Sequence, residues 1–276
     1  MGLRINSNLE ALNAHRHLSA VSNRLAKSME RLSSGLRINR ASDDAAGLAI
    51  SEKILAQVKG LDQAVRNAQD AISLVQTAEG ALQETHSILQ RMRELAVQAA
   101  NDTLQDSDKQ AIQAEINELL KEIARIAEAT EFNNQSLLQA SATSTEGIAF
   151  TFQVGANAGQ VIGLTIAAAN TLALFGGSMV DVVNEAATAI SLVDTAIGKV
   201  SDSRANLGAM QNRLEHTIAN LQVASENLQA ANSRIRDVDM AAEMMNYTKL
   251  QILQQAGTAM LAQANLAPQA VLKLLS

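Results

Sequence analysis

Apolar residues recur every seven positions along two stretches lying toward opposite ends of the chain. Ile54, Leu61, Ala68, Val75, Leu82, Leu89 and Ala96 form one row, and Val193, Val200, Leu207, Leu214, Leu221, Leu228 and Ile235 form the other. Sustained heptads mark long helices that pack on other helices. Beside each row runs a seam richer in small residues: Ala71, Ala78, Thr85, Met92 and Ala99 in the first stretch, Met210, Thr217, Ala224, Ala231 and Val238 in the second. Large side chains set against small ones let two helices approach closely along their length. The pattern predicts a mainly α fold, a long antiparallel coiled-coil rod formed by both chain ends.

The same patterning divides the chain. Residues 4–32 read as an amphipathic helix with Leu18, Leu25 and Leu32 as its packing stripe, and Ser33-Ser34-Gly35 and the polar run 39–44 interrupt it. A second helix starts around Asp43 or Asp44, with Ser42 as its cap, and runs to about Ala100, roughly 85 Å at about 1.5 Å per residue. Asn101 to Thr103 make a turn. Ser107 with Gln110 has capping-box spacing, opening a helix over 107–129 with Ile112, Ile116, Leu119, Ile123 and Ile126 on one face. Ser141 to Glu146 form a polar linker, after which the period changes to two. Ile148, Phe150, Phe152 and Val154, then Ile162, Leu164 and Ile166, predict a β-hairpin around a turn at 155–159. Two strands alone are marginal in water, so the hairpin has to lie on the helices. Gly176-Gly177 closes this region, and Ser178 with Asp181 opens the last helical section.

Composition fits thin helix–helix layers. The 276 residues include four Phe, one Tyr and no Trp, so the core is built from Ala, Leu, Ile, Val and Met. Pro268 is the single proline, which leaves long helices unbroken. There is no cysteine, which removes disulfides, thiolate nucleophiles and Cys-ligated zinc. The first 22 residues lack the continuous apolar stretch of a secretory signal, so an exported protein of this sequence would use another route.

Charge and candidate chemistry narrow the function classes. Residues 1–40 carry seven Lys/Arg against Glu10 and Glu30, about +5, which leaves about −11 of the total −6 for the rest. That arm has no aromatic residue to stack on bases, so a solvated helix face is favoured over nucleic-acid binding. The motifs HExxH, GxxxxGK[ST], GxSxG and GxGxxG are all absent. His15 and His17 are two apart and point apart on a helix, and His86 and His216 read as surface residues. No enzyme, cofactor or metal site is expected. Residues 250–272 are uncharged, but Gln251, Gln254, Gln255, Gln263, Asn265 and Gln269 disfavour stable membrane insertion, and burial among copies of the same chain is expected.

Two long motifs carry a resemblance. The run Leu32-Ser-Ser-Gly-Leu-Arg-Ile-Asn-Arg-Ala-Ser-Asp-Asp-Ala-Ala-Gly-Leu-Ala-Ile-Ser51 resembles the N-terminal signature of bacterial flagellins. Ile235-Arg-Asp-Val-Asp-Met-Ala-Ala-Glu-Met244 and Gln255-Ala-Gly-Thr-Ala-Met-Leu-Ala-Gln-Ala-Asn265 are similar to their C-terminal signature. The likeness covers about residues 1–139 and 179–276, with Ser42, Tyr247, Leu266 and Ser276 as departures.

The resemblance implies an extracellular filament subunit of the bacterial flagellum, exported by the flagellar type III route and polymerised into a helical homopolymer for motility. It implies terminal inner-tube helices and a connecting spoke in 1–44 with 236–276, a helical rod in 45–139 with 179–235, and a short variable β-hairpin region in 140–178. Leu250, Leu253, Ala256, Met260, Leu261 and Leu272 are expected to serve filament assembly. The stretch Gln90 to Val97 is similar to the family's innate-immune recognition motif. By resemblance, Gln90, Arg91, Leu95 and Glu115 are the contacts for Toll-like receptor 5, although unaided they read as helix-surface residues and a structural Leu. Other implied partners are the flagellar cap and junction proteins and an export chaperone at the C-terminal end.

The nearest rival is a hook-filament junction protein with flagellin-like ends. A chemoreceptor-type rod would place a self-sufficient helical hairpin at the centre, where this sequence has a β-hairpin. A type III secreted translocator would need a continuous apolar span, against which the glutamines argue.

Overall fold

Asp44 sets the start of the longest helix: its carboxylate accepts the Gly47 N–H at 2.8 Å, ahead of α2 (Ala45–Ala99). The cap is therefore Asp44 and not Ser42, because Asp44 is the residue whose side chain reaches the unpaired N–H groups of the first turn. The computed structural model describes residues 8–139, 147–178, 180–183 and 185–275, with side chains of 267–275 left aside. The expected linker over 141–146 and the first residues of the expected N-terminal helix, 4–7, lie outside the described residues.

Around α2 the element order is α1 (Leu9–Ser34), α2, α3 (Asp106–Ala129), the two-residue strands β1 (Glu131–Phe132) and β2 (Gln135–Ser136), the hairpin β3 (Ile148–Gln153) and β4 (Val161–Ile166), α4 (Thr171–Phe175), α5 (Ala186–Arg236) and α6 (Met240–Leu275). The fold is mainly α with antiparallel strand pairs in the middle of the sequence, as the heptads and the period-two run predict. The chain forms two compact units, one from Met1–Ala56 with Asn227–Ser276 and one from Gln57–Glu226.

In the unit built from Gln57–Glu226, the large row of α2 is the core. Ala68, Val75, Leu82, Leu89 and Ala96 are buried, and so is the whole small seam Ala71, Ala78, Thr85, Met92 and Ala99. Val193, Val200, Leu207 and Leu214 of α5 are buried too, as are Ile112, Ile116 and Ile123 of α3. The α3 cap lies two residues earlier than expected, at Gln105 and not Ser107: Asp108, not Gln110, reaches back, accepting the Gln105 N–H at 3.3 Å. The hairpin pairs Ile148 with Ile166 and Phe150 with Leu164, and it buries Ile162, Leu164 and Ile166. Asn67 of α2 donates to the Gln153 carbonyl at 3.0 Å and ties the hairpin to the helix.

Two features of this unit differ from the sequence reading. Ser178 and Asp181 do not open the helical section expected there, whose helix, α5, starts at Ala186. Val180 and Val182 are buried here, and Gln113 of α3 bridges them, donating to the Val180 carbonyl and accepting the Val182 N–H at 2.8 Å each. That bridge occupies backbone groups a helix would use for itself. The second feature is the turn Asn133-Asn134, both at positive φ, which pairs β1 with β2 just after α3. Asn tolerates that conformation better than most residues.

In the other unit, α1 and α6 pair antiparallel. Asn8 caps α1 by accepting the Ala11 N–H at 3.0 Å and donates through Nδ2 to the Ala264 carbonyl at 2.8 Å. At the far end of the pair the Ser28 hydroxyl donates to Glu243 at 2.5 Å. Leu18, Leu25 and Leu32 are half-buried along the seam, as their spacing predicts. Gly35 ends α1 at φ 72°, and the chain then bonds to the α5–α6 junction: Arg37 N–H to Arg236 O at 2.6 Å and Val238 N–H to Gly35 O at 3.0 Å. Asp239 caps α6, accepting from Ala241 and Ala242.

Candidate assembly surface and rod patch

Seven-residue spacing sorts α6 into two faces. Leu250 is buried, Glu243, Gly257 and Ala264 are half-buried, and these four, seven apart, turn toward α1. Met245, Ile252, Ala259 and Leu266, also seven apart, are exposed, Met245 at 70% and Ile252 at 60%. Met244, Met245, Ile252 and Leu253 line a shallow, mostly apolar groove with Thr248 and Lys249. Of the fifteen large hydrophobic residues exposed among those described, eleven belong to the unit holding α1 and α6. An apolar surface concentrated in this way marks a contact site.

The residues expected to serve assembly divide between those faces. Leu253 and Met260 are exposed, at 44% and 66%, and Ala256 is exposed. Leu250, 6% exposed, instead packs within its own chain, because it falls in the row facing α1, and Leu261 is half-buried beside that row. The Leu272 side chain lies outside the described residues.

The basic N-terminal arm has a use that its charge alone did not reveal. Lys27 pairs with Asp43 at 2.6 Å, Arg31 with Glu243 at 3.8 Å, and Arg40 with Glu30 at 2.9 Å, while the Arg37 guanidinium donates to the Ile235 carbonyl at 2.7 Å. Asp43 also accepts the Asn39 and Arg40 N–H groups at 3.2 Å each. The Lys27 hydrogen bond first, then the Arg40 and Asn39 N–H groups, lower the Asp43 pKa to about 2, against the small opposing cost of desolvation. These residues clamp the loop between α1 and α2.

In the unit built from Gln57–Glu226, three of the four residues expected to meet a receptor are exposed. Gln90 is exposed, and Arg91, 53% exposed, donates to Glu115 of α3 from Nε at 3.2 Å and Nη2 at 3.0 Å. Arg91 also pairs with Glu94 at 3.3 Å, and the two carboxylates, Glu115 ahead of Glu94, raise the Arg91 pKa. Leu95 is 2% exposed and packs with Leu89, Met92 and Ile116 in the core beneath that patch. A surface partner reaches Arg91 without rearrangement but not Leu95.

Among the described residues no cluster of His, Asp and Glu is arranged to hold a metal ion, and no helix is long and apolar enough to cross a membrane. His15, His17 and His216 are exposed, and His86 is half-buried beside Gln90.

The sequence itself matches two family models: the bacterial flagellin N-terminal helical region over residues 5–143, and the C-terminal helical region over residues 190–275. The chain belongs to the bacterial flagellins. It is 56% identical over 274 residues to the flagellin of Halalkalibacterium halodurans, covering 98% of this chain and 99% of that one. It is 52% identical over 303 residues to the flagellin of Bacillus subtilis, covering 99% and 100%. The crystal structure of Bacillus cereus flagellin is similar at a TM-score of 0.50 and 37% identity, covering 60% of this chain and 94% of that one. As a flagellin the protein is a structural subunit of the extracellular flagellar filament and not an enzyme. Its mutual contacts with other copies are those of a homopolymer.

Proposed function

We propose that the unit holding α1 and α6 is the polymerising part of the subunit and that its exposed apolar row binds neighbouring copies in the filament. The observation that carries this reading is the stripe Met245, Ile252, Ala259 and Leu266, seven apart on α6, exposed opposite the face that packs on α1. Heptad rows on two faces of one helix suit it to one partner within the chain and another outside it. Repeated contacts between unlike patches that do not close produce a helical polymer. In this reading Leu253, Ala256 and Met260 meet neighbours, while Leu250 and Leu261 hold α6 on α1.

The chain reaches the filament through the flagellar type III route and meets the cap and junction proteins there, with an export chaperone on the C-terminal helix before export. The uncharged run 250–266 of that helix, with Ile252, Leu253, Met260 and Leu266 exposed, supports a requirement for cover until assembly. The patch of Gln90, Arg91 and Glu115 is the contact for Toll-like receptor 5, with Leu95 supporting it from below; the exposed pairing of Arg91 with Glu115, two N–H groups on one carboxylate oxygen, supports this second reading.

Leu253→Arg tests the assembly surface. A charge at this exposed position leaves the folded monomer intact, and seeded elongation followed by sedimentation should fall at least tenfold. Elongation at the native rate with helix content unchanged would contradict the assignment.

A further inference from the structure

Methionine is distributed unevenly over the two units. Met29, Met240, Met244, Met245 and Met260 are exposed, between 47% and 70%, and all belong to the unit holding α1 and α6. In the other unit Met92 is fully buried and Met210 half-buried. Every exposed methionine among the described residues therefore lies on the part of the molecule read above as the polymerising one. Met245 and Met260 are the most exposed large apolar residues among those described. Leucine is common elsewhere in this sequence and carries no comparable reactivity.

We propose that Met245 and Met260 are oxidation sites that couple peroxide to subunit addition. The substrate class is a hydroperoxide. The thioether sulfur attacks the distal oxygen and an S–O bond forms as the O–O bond breaks; the proton of that oxygen passes to the departing oxygen, so sulfur is oxidised by two electrons to the sulfoxide and the hydroperoxide is reduced to an alcohol, or to water where it is hydrogen peroxide. The product is polar and chiral where the interface requires a polarisable apolar side chain. Burying that S=O group without a hydrogen-bond partner is unfavourable, so an oxidised monomer fails to dock. In a finished filament the same sulfurs are covered, so assembled subunits resist an oxidant that disables incoming ones. The inference rests on the assembly reading of α6.

The test treats purified full-length monomer, and separately preformed filaments, with graded hydrogen peroxide. Mass spectrometry of peptides locates each added oxygen, circular dichroism follows helix content, and electron microscopy measures elongation from short filament seeds. Met245 and Met260 of the monomer oxidise well before Met92 and at least tenfold faster than in filaments. Oxidised monomer elongates at least tenfold more slowly, and methionine sulfoxide reductase restores it. The double variant Met245→Leu with Met260→Leu, conservative in volume, elongates after peroxide at the same rate as before it, whatever its untreated rate, because neither position can then form a sulfoxide. Native-rate elongation by monomer carrying sulfoxide at both positions would overturn the proposal, as would a double variant inhibited like the native chain or filaments oxidised as fast as monomer. Untreated monomer that never elongates overturns the assembly reading and this proposal together, and is distinguished because the failure precedes any peroxide.

Discussion

Lys27 Nζ lies 2.6 Å from Asp43 Oδ1, joining α1 to the loop that leads into α2. The other carboxylate oxygen accepts two backbone N–H groups of that loop, from Asn39 and Arg40. One aspartate thus fixes both the loop and its attachment to α1, within a sequence run that is also the family's N-terminal signature.

This arrangement makes the terminal unit sensitive to acid. The Asp43 pKa is lowered from 3.8 to about 2 in the folded protein. A group whose folded pKa is depressed binds fewer protons in the native state than when unfolded, so its stabilisation is present above about pH 4 and is lost as pH falls toward 2. Circular dichroism melts of the native chain and Asp43→Asn at pH 7, 4 and 2 check this. The native chain is the more stable at pH 7, and the difference between the two shrinks between pH 4 and 2. A difference independent of pH would count against the role of Asp43.

Gly257 lets α6 lie close on α1. A Cβ there would be 3.2 Å from Leu18 Cδ1, so a side chain as large as Leu has to displace the Leu18 side chain from the seam. Gly257→Leu is expected to destabilise the terminal unit by about 1–3 kcal/mol, the usual range for overpacking. Hydrogen exchange measures it: amides of α1 and α6 should exchange faster while those around Leu82 and Ile116 keep their protection.

Arg91 and Leu95 separate a surface role from a structural one. Arg91 pairs with Glu115 at the exposed surface, where such pairs contribute about 0–1 kcal/mol, so Arg91→Ala should leave the melting temperature nearly unchanged and lower receptor signalling. Leu95 is buried, and Leu95→Ala should cost about 2–5 kcal/mol. Thermal melts beside a reporter-cell assay distinguish the two. Unchanged signalling by folded Arg91→Ala would remove this patch from the receptor contact.

Heptad spacing was the most readable part of the structure. Ala68, Val75, Leu82 and Leu89 are buried, and so is the small seam beside them, because the two adjacent heptad rows make one continuous apolar stripe on α2. The hairpin was legible from the alternation of Phe150 and Phe152 with Ile162, Leu164 and Ile166. Residues whose conformation depends on a distant partner were not. The stretch around Val180 and Val182 is held in place by Gln113, 67 and 69 positions away, and no local pattern reports that bridge. Asn133-Asn134 was a local turn signal passed over, and α4, capped by Asn170, is too short for periodicity to reveal. At the candidate surfaces, sequence listed the apolar residues of α6 without telling Leu250, which faces α1, from Leu253, which does not. The period alone allows either face to be the inner one until the position of α1 is known.

Polymerisation is assigned above to the terminal unit. Electron microscopy of purified full-length monomer with short filament seeds, beside the chain lacking residues 240–276, tests it most directly. Long filaments from the full chain and none from the truncated chain are the predicted result. Filaments of normal length from the truncated chain would contradict the claim. So would stubs from the full chain that stop growing despite seeds, the behaviour of a junction protein.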